Sequence, residues 1–455
     1  MKISKYSCIV DIQGVKYFLN TYNSALIQLD DDVCSMLSES GKEFEIEKLD
    51  ESQKSLLIEE GFLVDDDEDR IREEIIKMGY HSSKYMPSKA IKIDIGITNK
   101  CNFACAYCFE NGNRNCFNQT PGINEDIELF SEVRNYILEN VRKGVREFKV
   151  VWYGGEPSLK LDFITHFNKK IIDDSNSYGF DYSNIIVTNG YSIEKDYIEK
   201  LQNQNVEYVQ VTLDGPKNLH NERRNTNPKT DSYGIIMNNI GILLEHGIQV
   251  VIRINIDKTN ISGIEQLLDD LSRNIKTEYL GSLLFVTFGR VFGSQNSFTN
   301  NEYETLLKNI YIKASKLHLI IPSFEVSDVK AFCSAETANE NLVIDFAGNR
   351  YKCWNDIFNT NYAIENILNR DEDTRDSNDT ELFYMETLSL DNVNNGKCLE
   401  CELIKYCGGL CPYSRRLIYE GKEENIYLNN KCKEVIKDRI STYIESYLMV
   451  DDGQE

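Results

Sequence analysis

The hydrophobic pattern in the middle of the chain alternates between two periods. Between residues 90 and 318, six short apolar runs are each followed by a longer stretch whose apolar residues recur at helical spacing. The predicted strands are 91–98, 147–152, 184–188, 206–213, 249–256 and 283–288. The predicted helices are 126–142, 162–174, 194–203, 233–246, 261–272 and 302–317. Strands this apolar predict a parallel sheet covered on both faces, and therefore an α/β fold of six β–α units.

The first 80 residues follow a different pattern and predict a separate unit. Period-two alternation on both sides of Gly14 predicts a hairpin, and Gly61 ends the last helical stretch. The predicted strands are 8–13, 16–22, 25–30 and 62–64, and the predicted helices are 31–40 and 50–60. This order resembles the winged-helix-like module with which many enzymes acting on ribosomal peptides bind a leader peptide by strand addition. The alternative is a structural extension that packs on the central unit.

The regular alternation stops after residue 320, where Gly, Asn and Asp become frequent. A helix predicted at 433–447 should pack back on the body of the protein. The pattern therefore divides the chain into three units, at 1–80, 81–320 and 321–455. A prior of about 150 residues per domain agrees with this division.

Composition narrows the class of protein. A formal net charge of −23 argues against nucleic acid as a partner, because that binding needs clustered lysine and arginine. The acidic run at 65–69 is interpreted as part of a solvated acidic surface. No apolar run approaches the roughly 20 residues that span a bilayer, so no membrane contact is expected. Thirteen cysteines behind a polar N-terminus indicate the reducing cytoplasm, where thiols bind metals.

Three of the cysteines form a compact motif directly after the first strand of the central unit. Cys101, Cys105 and Cys108 lie in the run Cys-Asn-Phe-Ala-Cys-Ala-Tyr-Cys. Three thiolates are one fewer than a [4Fe–4S] cluster needs, so a cluster on this loop would keep one iron open to a small-molecule ligand. The alternative is a zinc site, which takes four nitrogen or sulfur ligands and usually pairs two Cys-x2-Cys motifs.

The motif resembles that of the radical S-adenosylmethionine (SAM) superfamily, in which SAM chelates the open iron through its amino and carboxylate groups. The resemblance implies a partial (β/α)6 TIM-like barrel, with the chemistry at the carboxyl ends of the strands. It implies that Cys101, Cys105 and Cys108 hold a cluster that passes an electron to SAM, and that a 5′-deoxyadenosyl radical then removes a hydrogen atom from the substrate. A reductant such as flavodoxin or ferredoxin would supply the electron.

Further motifs of this family follow the next three strands. The resemblance implies SAM contacts by Tyr107, Gly154, Gly155, Glu156, Thr188, Asn189, Thr212 and Arg224. The two glycines would let the backbone approach the methionine end of SAM, and Glu156 would bind its ammonium group. Arg224 would pair with its carboxylate, for which a planar guanidinium is better suited than lysine. Asp214 is as well explained by a cap on the next turn as by a ligand role.

Seven more cysteines lie after residue 330, and their spacing resembles the SPASM extension of radical SAM enzymes, which carries two auxiliary [4Fe–4S] clusters. The resemblance assigns Cys333, Cys353 and Cys411 to the first auxiliary cluster and Cys398, Cys401, Cys407 and Cys432 to the second. The first set is one thiol short, because residues 334–352 contain no cysteine. One of its irons would be open to a substrate thiolate, a water, another side chain or Cys116. A structural zinc ribbon on Cys398, Cys401, Cys407 and Cys411 is the alternative.

These resemblances predict a maturase of a ribosomally made precursor peptide with a leader, using SAM and three [4Fe–4S] clusters. The bond expected is a thioether between a cysteine sulfur and a carbon. A second candidate is an anaerobic sulfatase maturase, which makes formylglycine. Those enzymes carry an aspartate directly after the second SPASM cysteine, whereas Trp354 follows Cys353 here and the nearest carboxylate is Asp356. Carbon–carbon cross-linking and epimerisation of a peptide are further candidate reactions. From a different class, the chain could be a non-catalytic electron-transfer or peptide-binding protein.

Overall fold

The computed structural model describes residues 1–29, 46–110, 123–193, 195–224, 230–326, 333–337, 341–368, 377–427 and 431–451. The helix predicted at 31–40, Cys34 and Cys116 lie outside these residues. The strands, in chain order, are β1 (Lys2–Ile3), β2 (Ser7–Ile12), β3 (Val15–Asn20), β4 (Leu26–Gln28), β5 (Leu63–Val64), β6 (Ala90–Gly96), β7 (Glu147–Tyr153), β8 (Asp181–Thr188), β9 (Val206–Thr212), β10 (Val250–Ile256), β11 (Leu284–Arg290), β12 (Asn341–Asp345), β13 (Asn349–Tyr351) and β14 (Glu365–Asn366). The helices are α1 (Glu51–Glu59), α2 (Glu68–Tyr85), α3 (Ile123–Arg142), α4 (Leu161–Tyr178), α5 (Lys195–Leu201), α6 (Lys217–Arg224), α7 (Ser232–Glu245), α8 (Ile264–Asn274), α9 (Asn300–Lys316), α10 (Ser377–Leu382), α11 (Ile404–Cys407), α12 (Pro412–Tyr419) and α13 (Lys431–Asp451). We find no candidate for a membrane-spanning helix among the described residues.

Six parallel strands form the central sheet. They lie in the order β11-β10-β9-β8-β7-β6, and each pairs in parallel with its neighbour. In β6, Ile91, Ile93 and Ile95 point into the core below the helices, so Lys92 and Asp94 point to the other face of the sheet. Each fully buried isoleucine contributes about 1.5–3 kcal/mol. The predicted α/β fold with a six-stranded partial barrel is confirmed.

The sheet does not end at the sixth strand. β12 pairs in parallel with β6, with Leu342 opposite Ile93, and β13 and β14 continue the sheet in antiparallel pairs. The C-terminal region therefore shares a nine-stranded sheet with the barrel. The sequence pattern missed β12 because it is a five-residue strand with no helical period after it. This pairing brings the turn after β13, which contains Cys353, beside the barrel strands.

The start of the chain contains the predicted hairpin. β2 and β3 pair across the turn at Gly14, and β4 adds the third strand. β5 pairs with β1, rather than standing alone as a wing. α13 confirms the predicted C-terminal helix, and its residues Ile436, Ile440 and Ile444 pack against Leu19 of the hairpin. The N-terminal hairpin and the C-terminal helix therefore share one hydrophobic cluster.

The sequence pattern also missed α2, which runs through residue 80. The interpretation of residues 65–69 as a solvated acidic surface is wrong for Asp69, which is buried. Its carboxylate accepts hydrogen bonds from the hydroxyl of Ser4 at 2.6 Å and from the backbone N–H of Lys5 at 2.9 Å. Acidic residues favour the first turn of a helix because they complement its dipole, so this run marks the start of α2.

Candidate active site

The cysteine loop follows β6 at the carboxyl end of the parallel sheet. The backbone N–H of Cys108 donates to the carbonyl oxygen of Cys105 at 3.1 Å, and the N–H of Phe103 lies 3.4 Å from Sγ of Cys101. Hydrogen bonds to cluster-bound sulfur stabilise the negative charge of the cluster. Cys101 and Cys105 are half-buried and pack against the barrel core. The structure thus brings the three predicted ligands together in one compact loop at the barrel mouth.

The glycine turn after β7 packs on the backbone of this loop. Gly154 and Gly155 have φ angles of +84° and +51°. A Cβ on Gly155 would lie 2.1 Å from the carbonyl oxygen of Lys100, and a Cβ on Gly154 would lie 2.7 Å from Cα of Gly96. The close approach that requires glycine at both positions is therefore to the chain's own backbone. The glycine turn and the cysteine loop therefore pack together as one unit.

Glu156 ties together the ends of two strands. Its Oε1 accepts hydrogen bonds from the hydroxyl of Thr188 at 2.6 Å and from the N–H of Ser158 at 2.9 Å, and its Oε2 accepts from the N–H of Asn189 at 2.7 Å. The residue is 1% exposed. Asn189 in turn donates from Nδ2 to Oδ1 of Asn102 in the cysteine loop at 2.6 Å. Glu156, Thr188 and Asn189 thus form one hydrogen-bonded group beside the cysteines.

Arg224 is a buried side chain at the mouth whose hydrogen bonding is incomplete among the described residues. It is 6% exposed, and its Nε and Nη1 have no hydrogen-bond partner among the described residues. Burial acts to lower its pKa, but the nearby Cys105, Tyr107 and Asp214 outweigh this effect and hold the pKa above the usual arginine value. Buried guanidinium donors without hydrogen bonds are costly, so Nε and Nη1 of Arg224 fit a carboxylate that arrives with a ligand. This is the group that the carboxylate of SAM would require.

Tyr107 reaches from the cysteine loop to the loop after β9. Its hydroxyl donates to the carboxylate of Asp214, and burial raises the pKa of the phenol well above its usual value. Oδ1 of Asp214 accepts from the backbone N–H of Asn255 at 3.2 Å, so this carboxylate joins β9 to β10 and does not cap the next turn. Thr212 is buried at the end of β9. The polar residues at the end of β9 therefore lie at the same mouth as the cysteine loop.

The first C-terminal cysteine set is assembled in the structure. Burial is the main cause that raises the pKa of the Cys333 thiol to about 11, and the nearby Cys411 adds to it. Burial, with Asp356, Cys411 and Cys333 nearby, also raises the pKa of Cys353 well above its usual value. Thiolates that repel one another in this way are the arrangement that a bound cation would neutralise. The structure thus brings Cys333, Cys353 and Cys411 together.

The turn after Cys353 contacts the strand that leads into the glycine turn. The hydroxyl of Tyr153, the last residue of β7, donates to the carbonyl oxygen of Trp354 at 3.3 Å, and the two rings lie 5.8 Å apart. Asp356 is committed elsewhere, because it accepts hydrogen bonds from Nη1 of Arg416 and from the hydroxyl of Tyr384. Its 1% exposure leaves no free carboxylate surface.

The second C-terminal set comprises four cysteines. Burial, followed by the neighbouring thiols of Cys407, Cys401 and Cys432, raises the pKa of Cys398 to about 12. The thiols of Cys401, Cys407 and Cys432 therefore lie near that of Cys398. Among the described residues, no three His, Cys, Asp or Glu side chains approach closely enough to hold a single metal ion.

Two residues of the mouth were missed by the sequence analysis. Glu110 is buried, and its Oε2 accepts a hydrogen bond from the N–H of Gly155 at 2.8 Å. Its position two residues after Cys108 was the available signal. Arg223 lies over the ring of Tyr107 at 4.9 Å. Arg223 was missed because α6 is almost entirely polar and carries no apolar period.

Comparison with known proteins identifies the domain. Residues 95–271 match the Radical SAM superfamily. The chain is 25% identical over 341 residues to the radical SAM cyclopropyl synthase TigE of Paramaledivibacter caminithermalis, which covers 70% of this chain and 67% of that protein. It is 23% identical over 380 residues to the cysteine-type anaerobic sulfatase-maturating enzyme of Clostridium novyi, with 77% and 96% covered. The solved structure of native anSMEcpe with bound AdoMet and Cp18Cys peptide has the same fold, with a TM-score of 0.56 at 16% identity over 80% of this chain and 100% of that one.

The matched residues run from the end of β6 into α8 and contain the cysteine loop, the glycine turn and Arg224. They define a domain that works with an iron–sulfur cluster and a bound sulfonium ligand. The chain therefore carries a Radical SAM superfamily domain over residues 95–271. This fold implies SAM and one [4Fe–4S] cluster as cofactors, and the three-cysteine loop and the unfilled donors Nε and Nη1 of Arg224 fit both groups.

Proposed function

We propose that this enzyme modifies a ribosomally made precursor peptide and joins a cysteine sulfur of that peptide to a carbon. The names of the relatives support an action on proteins or peptides, because one is a cysteine-type sulfatase-maturating enzyme and the anSMEcpe structure holds a Cys-containing peptide. The net charge of −23 supports a peptide rather than a nucleic acid partner.

One observation carries the proposal: the first C-terminal cysteine set adjoins the SAM motif. Tyr153 hydrogen-bonds to Trp354 and directly precedes Gly154, while Cys353 lies close enough to influence the pKa of Tyr153. A substrate held at this wall would reach both cysteine sites. Proximity of this kind is the main contribution that a protein makes to chemistry carried by cofactors.

The residues of the mouth have separate tasks in this proposal. Cys101, Cys105 and Cys108 hold the first cluster, and Arg224 binds the carboxylate of SAM. Glu156 keeps the strand ends in place. When bound, SAM and its cluster would supply the one-electron chemistry that removes a hydrogen atom from an unreactive carbon.

The C-terminal sets would hold the two auxiliary clusters. Cys398, Cys401, Cys407 and Cys432 supply four thiolates, which complete a [4Fe–4S] cluster. Cys333, Cys353 and Cys411 supply three, which leaves a position for the substrate thiolate. Thiolate ligation suits such an iron, so the sulfur that becomes part of the new bond would be held there.

The N-terminal unit is the proposed site for the leader peptide. β4 is the outer strand of its three-stranded sheet and pairs only with β3 among the described residues. An extended peptide can add to such an edge through backbone hydrogen bonds. The reductant that delivers the electron, flavodoxin or ferredoxin, is a further proposed partner.

Formylglycine formation is the second candidate, because the relative from Clostridium novyi is matched over 96% of its length. Asp356 argues against it, since its carboxylate is held by Arg416 and Tyr384 and is 1% exposed. Carbon–carbon bond formation is the third, because the relative from Paramaledivibacter caminithermalis is a cyclopropyl synthase.

Mass spectrometry of one reaction separates the three. The anaerobically reconstituted enzyme is incubated with SAM, a reductant and a Cys-containing precursor peptide. Formation of a thioether lowers the mass of the peptide by two hydrogen atoms and removes its free thiol. A carbon–carbon bond removes two hydrogen atoms and leaves the thiol open to alkylation, and formylglycine replaces the thiol by an aldehyde. About twelve irons per chain are expected for three clusters. A peptide that keeps its thiol would overturn the thioether proposal.

A further inference from the structure

Two side chains approach the same carboxylate oxygen at the barrel mouth. Oδ2 of Asp214 accepts the hydrogen bond from the hydroxyl of Tyr107, and it lies 3.9 Å from Nη1 of Arg224. We propose that Tyr107 is a positioning residue whose hydroxyl keeps Asp214 from closing on Arg224, so that Arg224 stays open to the carboxylate of SAM. This inference rests on the proposed role of Arg224.

The gap between Asp214 and Arg224 is the first support. Charge-assisted hydrogen bonds between a guanidinium and a carboxylate are normally about 2.7–2.9 Å long. At 3.9 Å the pair is about 1 Å too long, and both Nε and Nη1 of Arg224 lack partners among the described residues. The buried carboxylate of Asp214 and the buried guanidinium of Arg224 would move into hydrogen-bond contact unless another residue held one of them in place.

Asp214 is fixed through its backbone and through one of its two carboxylate oxygens. Its Oδ1 accepts from the backbone N–H of Asn255 at 3.2 Å, and Nδ2 of Asn260 donates to its carbonyl oxygen at 2.8 Å. Its own N–H donates to Nδ1 of His220 at 3.3 Å. The residue is completely buried, so water does not solvate the second oxygen. Oδ2 of Asp214 can therefore bond either to the hydroxyl of Tyr107 or to the guanidinium of Arg224.

Tyr107 is held from its other side. The guanidinium of Arg223 lies 4.9 Å from the centre of its ring, and Arg223 is itself fixed by two bonds to Asp257, at 2.8 Å and 3.2 Å. Cation–π contact and a two-point ion pair together restrict the ring. The hydroxyl of Tyr107 is thus directed at Asp214 by a ring contact with Arg223, whose own guanidinium is bonded to Asp257.

The test uses variants in which the hydroxyl and the negative charge are removed in turn. In Tyr107→Phe, Asp214 loses its donor and should pair with Arg224, which weakens SAM binding by about tenfold. In the double variant Tyr107→Phe/Asp214→Asn, the uncharged amide at position 214 competes only weakly with the carboxylate of SAM for Arg224. SAM binding should therefore return to within about threefold of the wild type. A purely structural role for Tyr107 predicts that the second substitution adds further damage.

Binding is measured on the reconstituted holoenzyme by equilibrium dialysis of labelled SAM and by the change that SAM causes in the electron paramagnetic resonance spectrum of the reduced cluster. Iron content is measured for every variant. Tyr182→Phe is the matched control, because it also removes a buried hydroxyl bond, of 2.6 Å to Asn168, away from the barrel mouth. It should bind SAM as the wild type does.

The outcomes separate this inference from the proposed function. Normal SAM binding by Arg224→Gln would remove the proposed role of Arg224. Weak binding by Arg224→Gln together with normal binding by Tyr107→Phe would overturn only the role of Tyr107. Loss of iron from Tyr107→Phe, or a double variant no better than the single one, would also overturn it, because Tyr107 would then support the loop rather than Arg224.

Discussion

The hydroxyl of Thr21 donates to the backbone carbonyl of Glu402 at 2.6 Å, although 381 positions separate the two residues in sequence. In the other direction, Nζ of Lys405 donates to the carbonyl of Tyr22 at 2.6 Å. Tyr22 also packs in the same hydrophobic cluster as Cys401. The N-terminal hairpin is therefore one wall of the second C-terminal cysteine set.

We expect that loosening this wall exposes the second set to solvent and oxygen. Thr21→Val combined with Lys405→Met removes both hydrogen bonds between the hairpin and the loop, each of which contributes about 0.5–1.5 kcal/mol. The reconstituted variant should lose iron faster than the wild type when air is admitted, as measured by iron release over time.

Lys54→Met is the control, because its side chain bonds only to the exposed Glu51 of the same helix among the described residues. Equal rates of iron loss in all three proteins would contradict the prediction. Deleting residues 1–80 cannot test leader binding by itself, because the deletion also removes this wall.

The period of the apolar residues was sufficient to predict the six barrel strands, and the cysteine spacing predicts which thiols belong together. Neither signal carries the direction of a polar side chain. Glu156 was expected to face a ligand but is surrounded by donors from its own chain. The pairing of Tyr107 with Asp214 joins elements that are adjacent only after the barrel has formed. α6 was missed because its polar sequence has no period to detect.

Glu156→Ala should lower the free energy of unfolding by about 3 kcal/mol or more. The substitution leaves the buried donors of Thr188 and Asn189 and the part-buried donor of Ser158 without their acceptor, and each unsatisfied buried group costs about 1–3 kcal/mol. Anaerobic urea unfolding measures the change. Glu139→Ala, at an exposed position in α3, should have little effect. If Glu156→Ala keeps full stability and loses only SAM affinity, the carboxylate is a ligand instead.

Gly155→Ala should prevent the cysteine loop from packing on the glycine turn. The added Cβ would lie 2.1 Å from the carbonyl oxygen of Lys100, and the φ of +51° adds about 1–2 kcal/mol of strain for an L-residue. We expect a large fall in melting temperature and loss of iron from the first cluster. Gly144→Ala provides the comparison, since its φ is +101° and nothing lies within 4 Å of its Cβ. A Gly155→Ala protein as stable as Gly144→Ala would show that the loop moves without cost.

His220 should make the protein less stable as the pH falls. The imidazole is completely buried, and burial, followed by Arg224 and Arg223, lowers its pKa from 6.5 to about 3. Below pH 6.5 the unfolded chain takes up a proton that the folded chain does not, so this contribution to stability is full above pH 6.5 and is lost as the pH falls toward 3. The expected slope is about 1.4 kcal/mol per pH unit within that window.

The free energy of urea unfolding at pH 7.5 and at pH 5.5 should therefore differ by about 1.4 kcal/mol more in the wild type than in His220→Gln. Replacing the exposed His166 by Gln should leave the wild-type difference in place. The same pH dependence in His220→Gln and the wild type would show that His220 takes up its proton in the folded protein as readily as in the unfolded chain.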